Sequence, residues 1–412
     1  MKFEELLGTE PVCGDYALPD GECLKILQPV TETFFGELCR AIEGEGGRLL
    51  EENEIGPKCY RTYLAGDALI HLWFNGADCS VRVIRVPASG GRCGYLPLQP
   101  EEPKAPTQCQ ASLAVMALDY SRQNITDANG MSYVLQLEDG SFVIYDGGRL
   151  EDADRLFTYL TRMQEKCNPQ GKIEIAAWIL THAHGDHYGA FQAFSRMYAD
   201  QAVVRRILLN APPAAPEVIN PSVHDSFLNE AVYELAARHP QARVIKVFPG
   251  QRLKLAGAEI EVLQTYEDVL PMRLDYLNEA SVVTRVSIAG QKILFLADAE
   301  LKADRRLEEL GAALKSDFMQ VAHHGWSGGT DVLLRNIAPR VLMWTTNSEC
   351  YTIRTQRNWH NGFNYRLIGF PTVEFSFVAD NACKVLKLPF ADKKSISYEL
   401  FQNVARLNSL NV

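Results

Sequence analysis

The chain has 412 residues, a formal net charge of −10 and 47% apolar residues, which implies a globular fold with a sizeable core, either one large domain with an appendage or two domains. The acidic balance argues against a phosphate-backbone partner, which needs clustered Lys and Arg; the nearest thing to a cluster is the pair Arg205-Arg206. No apolar run approaches the roughly 20 residues of a membrane helix, and Met1 to Pro11 lack a charged-then-apolar leader pattern, so the chain reads as soluble, cytoplasmic and without a membrane partner. Ten cysteines are scattered without a Cys-x-x-Cys pair. We expect free, mostly buried thiols; seven lie in the first 110 residues, where a structural metal or disulfide is the lesser alternative.

Residues 1–108 read as a small α+β accessory domain. Val30 to Ile42 has helical spacing, and strand-like runs follow at Arg48 to Ile55, Lys58 to Ala65, Ala68 to Phe74 and Cys79 to Val86, separated by turns such as Asn75-Gly76. His71, among apolar neighbours, reads as a satisfied core histidine. Pro97 to Pro106 reads as a linker. Residues 109–392 have the pattern of a layered sheet. Ser112 to Ser121 and Met131 to Glu138 resemble strands, Asp139-Gly140 is a hairpin signal, and Ser141 to Tyr145 ends at Asp146-Gly147-Gly148. A helix from Glu151 to Cys167 and an apolar strand from Ile173 to Leu180 then lead into T-H-A-H-G-D-H-Y-G-A, Thr181 to Ala190. Beyond it come a strand at Val203 to Leu209, a Pro-rich excursion, a helix near Asp225 to Arg238, and β runs at Val244 to Val247 and Ile260 to Gln264. His224 and His239 read as surface or capping residues. Ser281 to Ile288 and Lys292 to Leu296 form a hairpin ending in Asp298. A helix from about Leu301 to Leu314 and a strand, Phe318 to Ala322, lead into His323-His324-Gly325. Further strand-like runs and a C-terminal helix over 393–412 close the chain.

Three histidines and an aspartate within positions 182–187 are hard to explain as packing. Neutral imidazole and carboxylate are what Zn²⁺ and similar cations bind. Five of the nine histidines lie in two loops, 182–187 and 323–324, each after a strand assigned to a central layer. Asp146 and Asp298 occupy the same kind of strand end, where α/β sheets build their sites.

His182-x-His184-x-Asp186-His187, with Asp146 and Asp298, resembles the signature of the metallo-β-lactamase fold superfamily. Asn278-x-x-Ser281, Leu296-Ala297-Asp298-Ala299 and Val321-Ala322-His323-His324-Gly325 are similar to the branch holding the hydrolase domain of competence DNA-uptake proteins and the choline-phosphate esterases. The resemblance covers about 110–390. It implies an αββα sandwich with two divalent metal ions, zinc first and manganese or iron as alternatives. His182 and His184 would hold one, Asp186 and His187 the second, Asp298 would bridge them, and His323 or His324 would complete the second, the neighbours of a strand end facing opposite ways. Asp146 would hold a ligand histidine or the loop. The family's mid-chain Gly-His-Thr turn is missing, so water, substrate, His224 or His360 would complete the first metal.

The reaction implied is hydrolysis by a metal-bridging hydroxide, with Asp186 orienting the nucleophile and His360 serving as a substrate or acid–base residue. A site without cysteine favours oxygen-rich substrates, so a small phosphodiester or phosphomonoester ranks first. The alternatives are acyl, lactone or thioester hydrolysis at the same metals, or a metal-binding sensor or scaffold that engages a partner through residues 1–108.

Overall fold

A computed structural model describes residues 1–87, 92–96, 109–118, 130–380 and 382–400; the expected linker lies outside them. In the N-terminal region Arg48–Ile55, Lys58–Ala65, Ala68–Asn75 and Ser80–Pro87 form an antiparallel meander. Two strands not anticipated, Val12–Ala17 and Cys23–Leu27, extend it to six through Ser80–Pro87. Val12–Ala17 is an edge strand whose side chains are mostly exposed, so it lacks the apolar alternation that marks a half-buried strand. The helix Glu32–Gly44 starts at Thr31, whose hydroxyl accepts from Phe34 N at 3.2 Å, an N-cap. It buries Phe34, Phe35, Leu38 and Ile42 against the sheet.

The remainder is a mixed α/β sandwich. One sheet runs, by strand, Ile396–Leu400, Ala382–Lys387, Ser112–Val115, Ser132–Gln136, Phe142–Asp146, Ile173–Leu180, Arg206–Leu209, Arg243–Lys246 and Gly94–Tyr95. The other runs Arg252–Leu255, Ala258–Gln264, Val283–Ile288, Gln291–Phe295, Phe318–Gln320, Val341–Trp344 and Phe375–Val378. Their facing sides share one core, in which Val143 and Ile179 meet Val286, Ile293 and Met343. Tyr145 stacks on Phe295 with centroids 3.8 Å apart, a contact worth about 0.5–1.5 kcal/mol beyond area burial. The Tyr145 hydroxyl also hydrogen-bonds Thr284 Oγ1 at 2.9 Å across the sheets. Ala153–Cys167 and Gly185–Met197 cover the outer face of the first sheet, and Leu301–Glu308 with Asp331–Ile337 cover that of the second. Five successive strands of the first sheet, Phe142–Asp146 to Gly94–Tyr95, and four of the second, Gln291–Phe295 to Phe375–Val378, run parallel, so each set points its C-terminal ends to one edge, and Val282 N donates to Thr181 O at 2.9 Å to tie the two edges together.

The N-terminal sheet docks on this sandwich through polar as well as apolar contacts. Lys58 is 1% exposed and lies 3.0 Å from Asp268 and 3.7 Å from Glu309. Buried Arg82 donates to the carbonyls of Glu267, Asp268 and Leu270. His71 is satisfied as a neutral ring: Nε2–H donates to Pro249 O at 2.8 Å, which leaves Nδ1 to accept from Thr62 Oγ1 at 2.8 Å. Burial pushes its pKa down to about 4. The unfolded chain therefore binds a proton near 6.5 that the native ring refuses, and stability falls as pH drops from about 6.5 to about 4, by about 3 kcal/mol from this ring. His71→Gln, which keeps a donor and an acceptor, should lose less stability than the parent between pH 7 and 4 in urea titrations; equal losses would assign the acid sensitivity elsewhere.

Two expectations are corrected. The C-terminal segment is a strand over Ile396–Leu400, preceded by a single 3₁₀ turn at Lys393–Ser395. Antiparallel pairing with Ala382–Lys387 overrides its helical spacing, and residues beyond 400 lie outside the described set. The cysteines are neither all free nor mostly buried. Cys109 and Cys167 form a disulfide, and of the free thiols only Cys350 and Cys383 are buried. The two partners are 58 residues apart and are brought together by the layering of helix on sheet, which residue spacing does not reveal.

Candidate metal centre

Each group of the centre is delivered by a strand end. Phe142–Asp146 ends in Asp146, whose positive φ of 55° turns its carboxylate back into the sandwich. That carboxylate accepts from Thr181 N, Thr181 Oγ1 and His187 Nδ1, each at 2.8 Å. It therefore fixes both the loop after Ile173–Leu180 and the His187 tautomer, leaving Nε2 of His187 to face the cluster. His184 precedes the helix Gly185–Met197, and Asp186 sits in its first turn, where a negative charge complements the helix dipole.

The opposite sheet supplies Asp298. Its backbone N donates to Ser281 Oγ at 3.2 Å. One carboxylate oxygen, Oδ2, lies 3.2 Å from His324 Nε2, 3.3 Å from His187 Nε2, 3.7 Å from His323 Nε2 and 3.9 Å from His182 Nε2. The other, Oδ1, is buried without a hydrogen-bond partner. The expectation that only one of His323 and His324 faces inward is corrected here. The strand stops at Gln320, and His323, His324 and Gly325 adopt left-handed φ values of 47°, 54° and 78°. Strand alternation therefore does not apply, and both rings turn to the same carboxylate. Only glycine suits position 325, because a Cβ there would lie 2.2 Å from the Trp344 ring.

Ligand-type atoms gather in two overlapping trios, His182, His187 and Asp298, and Asp186, His187 and His324, with all atoms of a trio within 4.8 Å of one another. His182 Nε2 also meets His184 Nδ1 at 3.0 Å, and His187 Nε2 meets His324 Nε2 at 3.2 Å. Imidazole nitrogens that face each other so closely, beside an unpartnered buried carboxylate oxygen, form a donor set suited to shared divalent cations. The rings are held from behind. His324 Nδ1 lies 3.0 Å from Thr345 O, and His323 Nδ1 lies 2.9 Å from Glu300 and 2.7 Å from Ser327 Oγ. Asn278 Nδ2 donates to Glu300 at 3.0 Å.

The electrostatics divide the cluster. Burial, reinforced by His187 and His184, pushes His182 well below the usual imidazole value, and burial with His187 lowers His184. Burial works against charge on His187, but Asp298 and Asp146 outweigh it and raise its pKa well above normal. Burial likewise opposes ionisation of Asp298 and Asp186, yet His324 and His187 hold both carboxyls down, with Arg149 adding to the effect at Asp186.

Besides His71, three histidines lie outside the cluster. His360 is exposed, with its ring 4.7 Å from that of Trp359 and 6.2 Å from that of Trp326, and among the described residues no hydrogen bond or ring contact joins it directly to a histidine or aspartate of the cluster. His224 Nε2 lies 3.3 Å from Pro212 O, and His239 Nε2 lies 3.0 Å from Ser195 Oγ. Neither His360 nor His224 belongs to the two trios of ligand-type atoms. Sequence reasoning missed Thr181, Ser327, Thr345 and Arg354, the last donating to His324 O at 2.9 Å. Thr345 directly follows the strand Val341–Trp344, so the strand-end rule that picked out Asp146 and Asp298 could have found it.

Residues 125–339 match the family described as the metallo-beta-lactamase superfamily. No curated protein matches the chain. Among solved structures, the chain is similar to the metallo-beta-lactamase fold protein YhfI from Bacillus subtilis, with 13% identity, a TM-score of 0.40, and coverage of 66% of this chain and 97% of that one. It is also similar to CmlA, a diiron beta-hydroxylase from Streptomyces venezuelae, with 12% identity, a TM-score of 0.38 and coverage of 70% of this chain. The chain spans 55% of the length of CmlA.

Proposed function

The chain belongs to the metallo-beta-lactamase superfamily, and from that membership we propose that it is a dinuclear metal-dependent hydrolase of a small phosphodiester or phosphomonoester. The observation that carries the reading is the buried Asp298 carboxylate, with four imidazoles converging on one oxygen and no partner on the other. We assign His182 and His184 to one cation, Asp186, His187 and His324 to the other, and Asp298 between them. The cations, zinc first with manganese or iron as alternatives, supply Lewis acidity when bound, which makes water a nucleophile near neutral pH. Asp146 keeps His187 Nε2 turned to the cluster. The Asp186 carboxylate, 3.7 Å from His324 Nε2, is placed to orient the attacking water. His323, steadied by Glu300 and Ser327, presents Nε2 to Asp298 on the side of Asn278.

Phosphate is favoured over acyl substrates by the chemistry of the donors, all nitrogen and oxygen with a carboxylate at the centre, which suits oxygen-rich ligands. The branch that includes the competence-protein hydrolase domain and choline-phosphate esterases is supported by the contacts of Asn278-x-x-Ser281: Asn278 steadies Glu300 and Ser281 holds the backbone of Asp298. The test is turnover of bis(4-nitrophenyl) phosphate beside a panel of carboxyl esters, lactones and thioesters, before and after chelation and after reloading with Zn²⁺ or Mn²⁺. Phosphoester turnover that is lost and regained with metal is the expected result. Turnover confined to the acyl panel would replace the reading, and no turnover of either kind would favour a binding module.

A further inference from the structure

We infer that Asp304 is a positioning residue of the metal centre, accepting from the Gly329 main chain and thereby fixing the loop that carries His323 and His324; this rests on the metal centre assigned above and not on the choice of substrate. Asp304 belongs to the helix Leu301–Glu308, whose N-cap is Glu300. Glu300, Asp304 and Glu308 follow one another in steps of four, so they share one helix face. Each takes hold of the next stretch of the loop. Ser327 Oγ donates to Glu300 at 3.0 Å, Gly329 N donates to Asp304 Oδ2 at 2.6 Å, and the Thr330 hydroxyl donates to Glu308. Ser327 is the residue that meets His323 Nδ1, and Thr330 caps the helix Asp331–Ile337 by accepting from Leu333 N at 3.0 Å. Asp304 therefore grips the middle of the span between the histidines and the next helix.

The loop needs such a hold. Gly328 and Gly329 have left-handed φ values of 83° and 80°, and both press against neighbours: a Cβ on Gly328 would lie 2.3 Å from Ala299 O, and one on Gly329 would lie 2.5 Å from the Phe363 ring. Only glycine permits that approach, and a glycine pair has the most backbone freedom to lose. Ala299 stands between Asp298 and Glu300, so a loop that lifts here carries Ser327 away from Glu300. The carboxylate face is kept at a cost. Asp304 is fully buried, like charges four residues apart repel, and among the described residues no Lys or Arg pairs with Glu300, Asp304 or Glu308. Two of the helix's own cations turn elsewhere, Lys302 to Asp275 at 2.6 Å and Arg306 to Asp78 at 2.8 Å. Burial, against the pull of the Gly329 hydrogen bond and with Glu308 and Glu300 adding to it, pushes the Asp304 carboxyl well above its usual pKa. Its part in the loop is thus that of an acceptor, which asparagine also supplies.

The test compares the parent with Asp304→Asn, Asp304→Leu and Asp304→Ala. Zinc affinity is read by competition with a chromophoric chelator, and ligand geometry by the visible spectrum of the cobalt-loaded chain. Asp304→Leu should bind zinc about tenfold to a hundredfold more weakly, as is typical when a group that orients a metal ligand is lost, and its cobalt spectrum should change. Asp304→Asn, which keeps the acceptor, should recover most of the affinity and the parental spectrum. Asp304→Ala takes the place of Asp304→Leu if that variant does not fold. Parental affinity and spectrum in Asp304→Leu and Asp304→Ala would overturn the inference while leaving the metal centre standing. So would an Asp304→Asn variant as weak as Asp304→Leu, or the failure of all three to fold, which would assign Asp304 to the fold alone. A parent that takes up neither zinc nor cobalt would overturn the metal centre and the inference with it.

Discussion

Replacing Asp298 by asparagine is expected to remove one or both metals and to lower turnover at least about a thousandfold, since several kcal/mol of transition-state stabilisation are assigned to the metal pair. The expectation follows from position and charge. Asp298 is 2% exposed, and its Oδ2 is the point on which His182, His187, His323 and His324 converge. The imidazoles around it hold the carboxyl well below its ordinary pKa despite burial, so it stays ionised throughout the neutral range. A neutral amide offers one oxygen acceptor and a competing NH₂ donor and cannot bridge two cations in the same way. The backbone contact from Asp298 N to Ser281 Oγ does not involve the side chain, so the variant should fold. Elemental analysis with steady-state kinetics checks this, and unchanged metal content with near-parental activity would remove Asp298 from the centre.

The second large effect is expected outside the histidine–aspartate cluster. Lys58→Met should destabilise the chain by about 3–5 kcal/mol, because it leaves the buried Asp268 carboxylate without its partner. Lys58 and Asp268 are each 1% exposed and lie 3.0 Å apart. Neighbouring contacts make the loss global: Arg82 holds the carbonyls of residues 267, 268 and 270, and Glu267 accepts from Asn210 Nδ2 at 2.9 Å. The N-terminal sheet is thus part of the support beneath the strand ends. Adding Asp268→Leu to Lys58→Met should recover much of the loss, since an apolar pair leaves no charge stranded. Urea unfolding of both variants tests this; a single variant within about 1 kcal/mol of the parent would show that water reaches Asp268 and that the pair resembles an exposed one.

How much of the centre could be read in advance follows from how local each contribution is. His182 to His187 were legible because six consecutive positions carry four ligand-type residues directly after an apolar strand. Asp146 and Asp298 were legible through the strand-end rule. The orientation of His323 and His324 was not, because it depends on two left-handed residues in succession, which non-glycine residues adopt only when the surroundings impose it. The helix Ser348–Arg354, which brings Arg354 under the His324 carbonyl, buries only Cys350 and Arg354 and so shows no apolar stripe. The Cys109–Cys167 pairing and the strand Ile396–Leu400 depend on partners distant in sequence, where local periodicity carries no information.

The most direct measurement is the metal content of the purified chain, read by elemental analysis before and after dialysis against chelator and after reloading. Two divalent ions per chain are expected, removed and restored in step with hydrolytic turnover. A chain that takes up no divalent metal, or that hydrolyses its substrates equally well without it, would contradict the assignment of the His182–His187, Asp298 and His323–His324 segments to a metal centre.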